Sequence, residues 1–194
     1  MADSEQSSDL EHFQSIPWCA ALLSSPGYRL TKTPSRTLMP YGESSLFGQT
    51  LKTDNTITHI QSMYLRTLSA RVQPLITEVR TLVTLSTGMN GSPNTLHGGM
   101  IVTLMDDTIG TLMKLNHAAE GLPQSVFGLT AKMDVRFSKM VATPGTYCIG
   151  ASCTKVEGKK VRLRGWVRDE EDDVCASAES TWIIVDWGDL QTKL

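Results

Sequence analysis

The sequence is short of the features that define several protein classes. Of its 194 residues only 6% are aromatic and four are cysteine: Cys19, Cys148, Cys153 and Cys175. None of these makes a CxxC pair or a metal-ligand spacing, and four in a chain this long is no disulfide scaffold, so they read as reduced thiols. Charge of one sign is lacking too: 18 Lys and Arg stand against 20 Asp and Glu, with a pI of about 6.1. A balanced chain makes no strong field for nucleic acid or an anionic membrane. No apolar run approaches the roughly 18 residues of a membrane span, PWCAALL being far too short. The opening MADSEQSSDLEHF is acidic, against a basic secretory leader or an Arg-rich transit peptide. GxSxG, P-loop, GxGxxG and HExxH patterns are all missing. The expectation is a soluble, cytoplasmic protein with neither metal nor cofactor.

What is there divides near residue 74 into an N-terminal extension (1–73), a main domain (74–187) and a tail (188–194). Residues 1 to 9 are small and polar and read as frayed. A short helix is predicted from Asp9 to Leu23, broken at Pro17, and 24–45 is rich in Pro, Gly and Ser and reads as irregular. Asp54 or Asn55 is placed to cap a second helix carrying Ile57, Ile60, Tyr64 and Leu68 as one stripe. The extension thus reads as an appendage of irregular chain and short helices. From Pro74 the period becomes two, and ITEVRTLVTLS predicts a strand. Four more alternating stretches, 128–137, 145–157, 159–169 and 174–186, predict strands joined by two short hairpins and one longer loop.

Between the first strand and the other four lies LHGGMIVTLMDDTIGTLM, residues 96–113. It predicts a helix from about Gly98 to Asn116, apolar nearly all round and so destined for an interior, with His117 at its end and Gly121 and Pro123 as stops. The fold class is α+β, an antiparallel sheet with one helix to cover. Two adjacent aspartates in such a helix need a reason, because burying a lone carboxylate costs several kcal/mol or shifts its pKa.

The order of strand, N…HGG, apolar helix with an Asp nine residues after the His, and four further strands read as a meander resembles the hotdog-fold acyl thioesterases. More narrowly it is similar to the PaaI-type and acyl-CoA thioesterase 13-like branch, over roughly residues 74–186. MNGSPNTLHGG, DLEHFQSIPWCAALL and TPSRT resemble fungal members of that branch. The resemblance implies a sheet wrapped around a central helix, and hydrolysis of an acyl thioester on coenzyme A or a carrier protein. It also implies sites shared between two subunits of a homodimer, or of a dimer of dimers. Position by position it implies His97 and Gly98 at the helix start, Asp106 as the acid and Thr130 at the start of the second strand. The site Asn of relatives falls six residues before the His, where this chain has Gly91; Asn90, one position earlier, is the choice here.

Neighbouring helix positions point about 100° apart. Asp107 shares a polar seam with Thr103, Thr111 and Lys114, which reads as a solvated or interface position. Asp106 shares a stripe with Val102, Gly110 and Met113, so desolvation is expected to raise its pKa and keep it reactive near neutrality. A carboxylate there serves either as general base to water or as a direct nucleophile, and both routes stay open. The amides of Gly98 and Gly99, uncovered at a helix start, are placed to hold an oxyanion. Asp106 lies eight residues past Gly98, about 12 Å along the axis. One chain cannot bring both to one carbonyl, whereas a twofold dimer can.

Each of these residues also has a plainer reading. His97 as a helix-terminal group bonding backbone, Gly98 and Gly99 as packing glycines, Asn90 as a turn residue and Thr130 as an outward strand residue are all ordinary roles. His12 and His59 read as solvated surface residues, and His117 as a favourable cation at a helix C-terminus. Lys160, Arg162, Arg164 and Arg168 form one strand face that either receives coenzyme A phosphates or is simply solvated, and Arg136 shares that ambiguity. Two other functions compete: a hotdog dehydratase or hydratase, which would lean on a His and whose HFP-type segment is absent, and a non-catalytic acyl-CoA-binding dimer.

Overall fold

The computed structural model describes residues 2–40, 42–67 and 74–188. In chain order it has α1 (Ala2–Gln14), α2 (Pro17–Leu23), β1 (Tyr28–Thr31), β2 (Ile57–Arg66) and β3 (Ile76–Leu85). There follow β4 (Asn90–Ser92), β5 (Thr95–Leu96), α3 (Gly98–Ala119), β6 (Val126–Phe137), β7 (Gly145–Glu157), β8 (Lys160–Arg168) and β9 (Val174–Asp186). Seven strands form one antiparallel sheet in the order β1-β2-β3-β7-β8-β9-β6, and β4 and β5 make a small separate hairpin.

α3 lies on one face of this sheet against β3, β6, β7 and β8. Ile101, Leu104, Met105, Ile109 and Leu112 are its buried ridge, at most 5% exposed. They meet Ile60, Val83, Ile149 and Val167 toward one end and Val79, Ala151, Leu163 and Trp182 toward the other. At its C-terminal end the amide of Asn116 acts as a missing strand partner: Nδ2 donates to Ile76 O and Oδ1 accepts from Ile76 N–H, both at 2.8 Å. This is the hotdog architecture, a sheet wrapped around one long helix.

The predicted strands and central helix are present, with one change of order. Only β7, β8 and β9 form a meander; β6 pairs with β9 at the far edge. The chain leaves α3 at that edge, and the loop after β6 returns it to β3 in the middle of the sheet.

The N-terminal region differs most from expectation. Residues 2–14 are helical rather than frayed, and Pro17 starts a second helix instead of merely interrupting one. The stretch read as irregular contains β1. The helix predicted from 54 is strand β2, paired with β1 and β3; Leu68 of its expected stripe lies outside the described residues. The reason is a register shift between Ile57 and His59. The extra residue puts Ile57 and Ile60 on the α3 face, and Tyr64 falls there too, reproducing helical spacing within a strand. The other face of β2 is also covered, because Met63 joins Phe13, Cys19, Leu82 and Cys148 in a second small core under α1 and α2. A strand buried on both faces loses clean alternation.

His12 and His59 are accordingly not solvated residues. Their rings stack at 3.7 Å and 8°, and His12 Nε2 pairs with Thr84 Oγ1 at 2.8 Å. All four cysteines are free thiols, and burial pushes Cys148 up to about 12. No helix among the described residues is long and apolar enough to cross a membrane.

Candidate active site

The start of α3 is held by the β4–β5 hairpin. Leu96 N–H bonds Val141 O and His97 N–H bonds Met89 O, so the backbone arrives at the helix fixed on two sides. Asn90 stands in β4 and accepts a hydrogen bond from Thr143 Oγ1. Gly91 packs on the His97 ring: a Cβ there would come within 2.8 Å of His97 Cδ2. A side chain at 91 has no room in this arrangement, whereas Asn90 carries one beside the same hairpin.

His97 is the N-cap of α3, and its Nδ1 accepts from Gly99 N–H at 2.9 Å. The acceptor role puts the proton of a neutral ring on Nε2. It also corrects one expectation: the Gly99 amide is not uncovered but taken by the cap. Met100 N–H bonds His97 O. The Gly98 N–H has no acceptor among the described residues. The unpaired positive end of the helix therefore narrows to one amide, on an exposed glycine where a Cβ would stand 3.7 Å from the Phe137 ring, in ordinary contact.

Two turns on, the adjacent aspartates part company. Asp106 is partly exposed and its Oδ1 accepts from Thr130 Oγ1 of β6 at 2.7 Å. Asp107 turns the other way, toward the N-terminal region, where the buried Ser35 donates to its Oδ2 at 2.8 Å. Burial is the largest influence on Asp107 and pushes its carboxyl from 3.8 up to about 6, while the Ser35 bond and Lys114 pull it back down. Asp107 is thus a desolvated acid with a partner of its own, and not the solvated position its polar seam predicts. A segment absent from the helix itself, Pro34–Arg36, covers the polar seam.

α3 and β6 run in opposite directions, so Gly98 sits under Phe137 and Asp106 under Thr130. Acid and open amide stay about 12 Å apart within one chain. A register shift next to Thr130 interrupts the β6–β9 ladder there. The outer edge of β6 has no strand beside it among the described residues. Leu129, Phe137 and Met140, in and just after it, are 47%, 53% and 63% exposed, more large apolar surface than one edge strand usually leaves open.

Of the other candidates, Arg136 is exposed on β6, six residues and about 20 Å along the strand from Thr130, so it does not join Asp106 within one chain. The basic face of β8 is largely matched: Arg162 pairs with Glu157 at 3.0 Å, Arg168 with Asp172 at 3.0 Å and Arg164 with Glu179 at 3.9 Å. His117 bonds Pro123 O at 2.8 Å and closes the turn after α3. No group of three or more metal-ligating side chains occurs among the described residues. Ser35 is the site neighbour that residue patterns miss; it lies 72 positions from its partner, with no local signal beyond the TPSRT segment.

Residues 93–176, from just before the helix cap into β9, match the model of the Thioesterase superfamily. Verlamelin biosynthesis protein B of a Lecanicillium species is 28% identical over 180 residues, covering 78% of each chain. A thioesterase from Haemophilus influenzae superposes with a TM-score of 0.51 at 15% identity, over 66% of this chain and 79% of its own. A hypothetical thioesterase protein from Streptococcus pneumoniae, solved with coenzyme A, superposes at 0.50 and 14% identity, over 57% and 80%. The two superpositions speak to architecture, and the sequence match speaks to the segment that carries His97, Asp106 and Thr130. The chain has the hotdog fold, and its residues 93–176 carry the sequence pattern of the Thioesterase superfamily.

Proposed function

We propose that this protein is a cytoplasmic thioesterase of the PaaI-type branch, fungal in character, hydrolysing an acyl thioester borne by coenzyme A or a carrier protein. It works as a homodimer. Asp106 is the general base or nucleophile, and the Gly98 amide of the other subunit polarises the thioester carbonyl. His97 orients the helix start, and Asn90, Gly99, Thr130 and Arg136 complete the surroundings of the substrate. The match to the superfamily pattern supports the reaction class, and the coenzyme A held by the pneumococcal neighbour supports the carrier. Likeness to a biosynthesis protein favours a substrate supplied by a biosynthetic sequence.

One observation carries the reading: Asp106 is bonded to Thr130 at one end of an open edge strand, and Gly98 lies at the other end of the same strand. A twofold axis through the middle of β6, near Met133 and Asp134, sets the Thr130 end of one copy beside the Phe137 end of its partner. That motion alone brings each acid toward the partner's open amide and covers Leu129 and Phe137. In the reaction the carboxylate takes a proton from the attacking water, or attacks the carbonyl itself to give an anhydride that water then cleaves; the amide N–H receives the oxyanion, whose collapse breaks the C–S bond and releases the thiolate to take up a proton. Thr130 holds the carboxylate in one rotamer, and Arg136, at the partner's end of the strand, is placed for an anionic part of the carrier.

Thiol release across acyl-CoA chain lengths, with Asp106→Asn and Asp107→Asn in parallel, tests this. The expected loss is about a hundredfold or more for the first, in the range of general-base contributions, and mild for the second. Binding of acyl-CoA without thiol release would instead make the protein a carrier of acyl groups.

A further inference from the structure

The docking of α1 on the sheet turns on two rings that change charge near neutral pH. His12 of α1 stacks flat on His59 of β2, with 3.7 Å between centroids and 8° between planes, and both are half-buried. The next residue, Phe13, is fully buried among Cys19, Met63, Leu82 and Cys148, and meets the His59 ring edge-on at 6.4 Å. Hydrogen bonds fix both imidazoles. His59 Nδ1 pairs with Thr58 Oγ1 at 3.1 Å; His12 Nε2 pairs with Thr84 Oγ1 of β3, which pairs with Thr146 Oγ1 of β7 at 3.0 Å. β3 and β7 thus face the pair with hydroxyls. Other charged groups come from α1 and from residues 32–52: Asp9 favours the proton on His12, whereas Arg36 beside His59 opposes one there, and Lys32 and Lys52 line the same cavity as the His59 ring. Glu11 of α1 is exposed and bonded to Ser7. Burial, and then His59, hold the His12 pKa below 6.5 in spite of Asp9; burial, and then Arg36, hold His59 below the same value.

We propose that the His12–His59 stack is a proton-operated latch, holding α1 on the sheet while the rings are neutral and releasing it when both are charged. Neutral imidazoles in van der Waals contact attract. Two imidazolium rings stacked at that spacing repel across a contact with no room for water to screen it. Rings freed from the stack regain ordinary proton affinity, above that of the docked rings, so protons favour the released form. Docking is therefore at full strength above pH 6.5 and is lost as pH falls through the lower values of the docked rings. Release takes Phe13 out of the small core it shares with Met63, Leu82 and Cys148, so acid turns covered apolar surface into open surface. The latch lies outside residues 93–176 and does not depend on the proposed hydrolysis. Asp107, in α3, responds to pH in the opposite sense, so α1 has to be read locally.

Hydrogen exchange of the full chain, corrected for the intrinsic effect of pH, reads α1 and α3 separately. An undocked α1, 13 residues long, is too short to stay helical alone. Its amide protection is expected to fall about tenfold or more between about pH 7 and about pH 5, the linkage limit being tenfold per pH unit for each proton taken up, while α3 keeps its protection. His59→Phe keeps a flat ring under His12 without the charge, and is expected to abolish most of that fall. Unchanged α1 protection in the native chain, an equal fall in α3, or an undiminished fall in His59→Phe overturns the proposal. If His59→Phe fails to dock α1 at pH 7, ring NMR of the unaltered chain decides, with His12 and His59 recognised by their contacts to Phe13. Both rings titrating below 6.5, in step with the loss of α1 protection, upholds the latch; either ring titrating at or above 6.5 sinks it.

Discussion

Ser35 and Asp107 stand 72 residues apart in sequence and 2.8 Å apart in space, hydroxyl to carboxylate. The bond ties the Pro34–Arg36 turn to the middle of α3, one residue from Asp106. It also explains how the helix carries two adjacent carboxylates: each has its own hydroxyl partner, on opposite sides.

The pH dependence of stability follows from Asp107. Its folded pKa, about 6, lies above the ordinary 3.8, so between these values the folded state holds the proton more tightly than the unfolded state. Its contribution to stability is complete below about pH 4 and lost as pH rises through 6. The shift corresponds to a destabilisation on the order of 3 kcal/mol at pH 7. Asp107→Asn keeps an acceptor for Ser35 and is expected to raise the pH 7 denaturation midpoint while flattening its dependence between pH 4 and 6. Urea titrations at several pH values read this directly.

Gly98→Pro tests the open amide without disturbing the helix. Proline is favoured at the first helical position, and His97 already has the extended ψ of 134° that a residue before proline requires. The fold is expected to persist while turnover falls by roughly 10²–10³, as for other lost oxyanion donors. Unchanged kcat would remove Gly98 from the mechanism.

Mixing the two inactive variants tests whether sites are shared. In a re-equilibrated equal mixture of Asp106→Asn and Gly98→Pro chains, half the dimers are mixed. If acid and amide come from different subunits, each mixed dimer holds one intact site, so about a quarter of full activity returns. If they come from the same subunit, mixing restores nothing.

Thr130→Val removes the hydroxyl that holds Asp106 but keeps the strand's shape. A tenfold fall in kcat with little change in KM is the expected result, because the acid stays present but loses its fixed orientation.

Asn116→Leu probes the structure rather than the chemistry. It strands both the N–H and the C=O of Ile76 in a buried position, at about 1–3 kcal/mol for each unsatisfied group. Chemical denaturation is expected to show a loss of a few kcal/mol, with activity retained by the folded fraction.

The central helix and most of the sheet were legible because their signals are local. Residues 98–116 are apolar nearly all round for a helix whose ridge is buried on the sheet, and β8 alternates because one of its faces meets α3. The N-terminal strands were illegible for two physical reasons. The register shift beside Ile57 gave a strand the spacing of a helix, and the cover of α1 and α2 erased the polar face of β2. At the site, Asp106 and Thr130, both placed by the one resemblance, touch. The environment of Asp107 was out of reach, since Ser35 arrives from a distant turn. The capture of the Gly99 amide was closer to readable: a side chain with a lone pair stood two residues ahead of it, at the N-cap.

The place of β2 between β1 and β3 has a practical consequence for anyone shortening the chain. A polypeptide begun at Pro74 would leave the β3 ladder unsatisfied along its outer side and strip the apolar flank of Val83 and Leu85 of the cover from Ile57 and Ile60. Such a trimmed version would present an adhesive border to its own copies, and would precipitate rather than serve as a minimal catalyst.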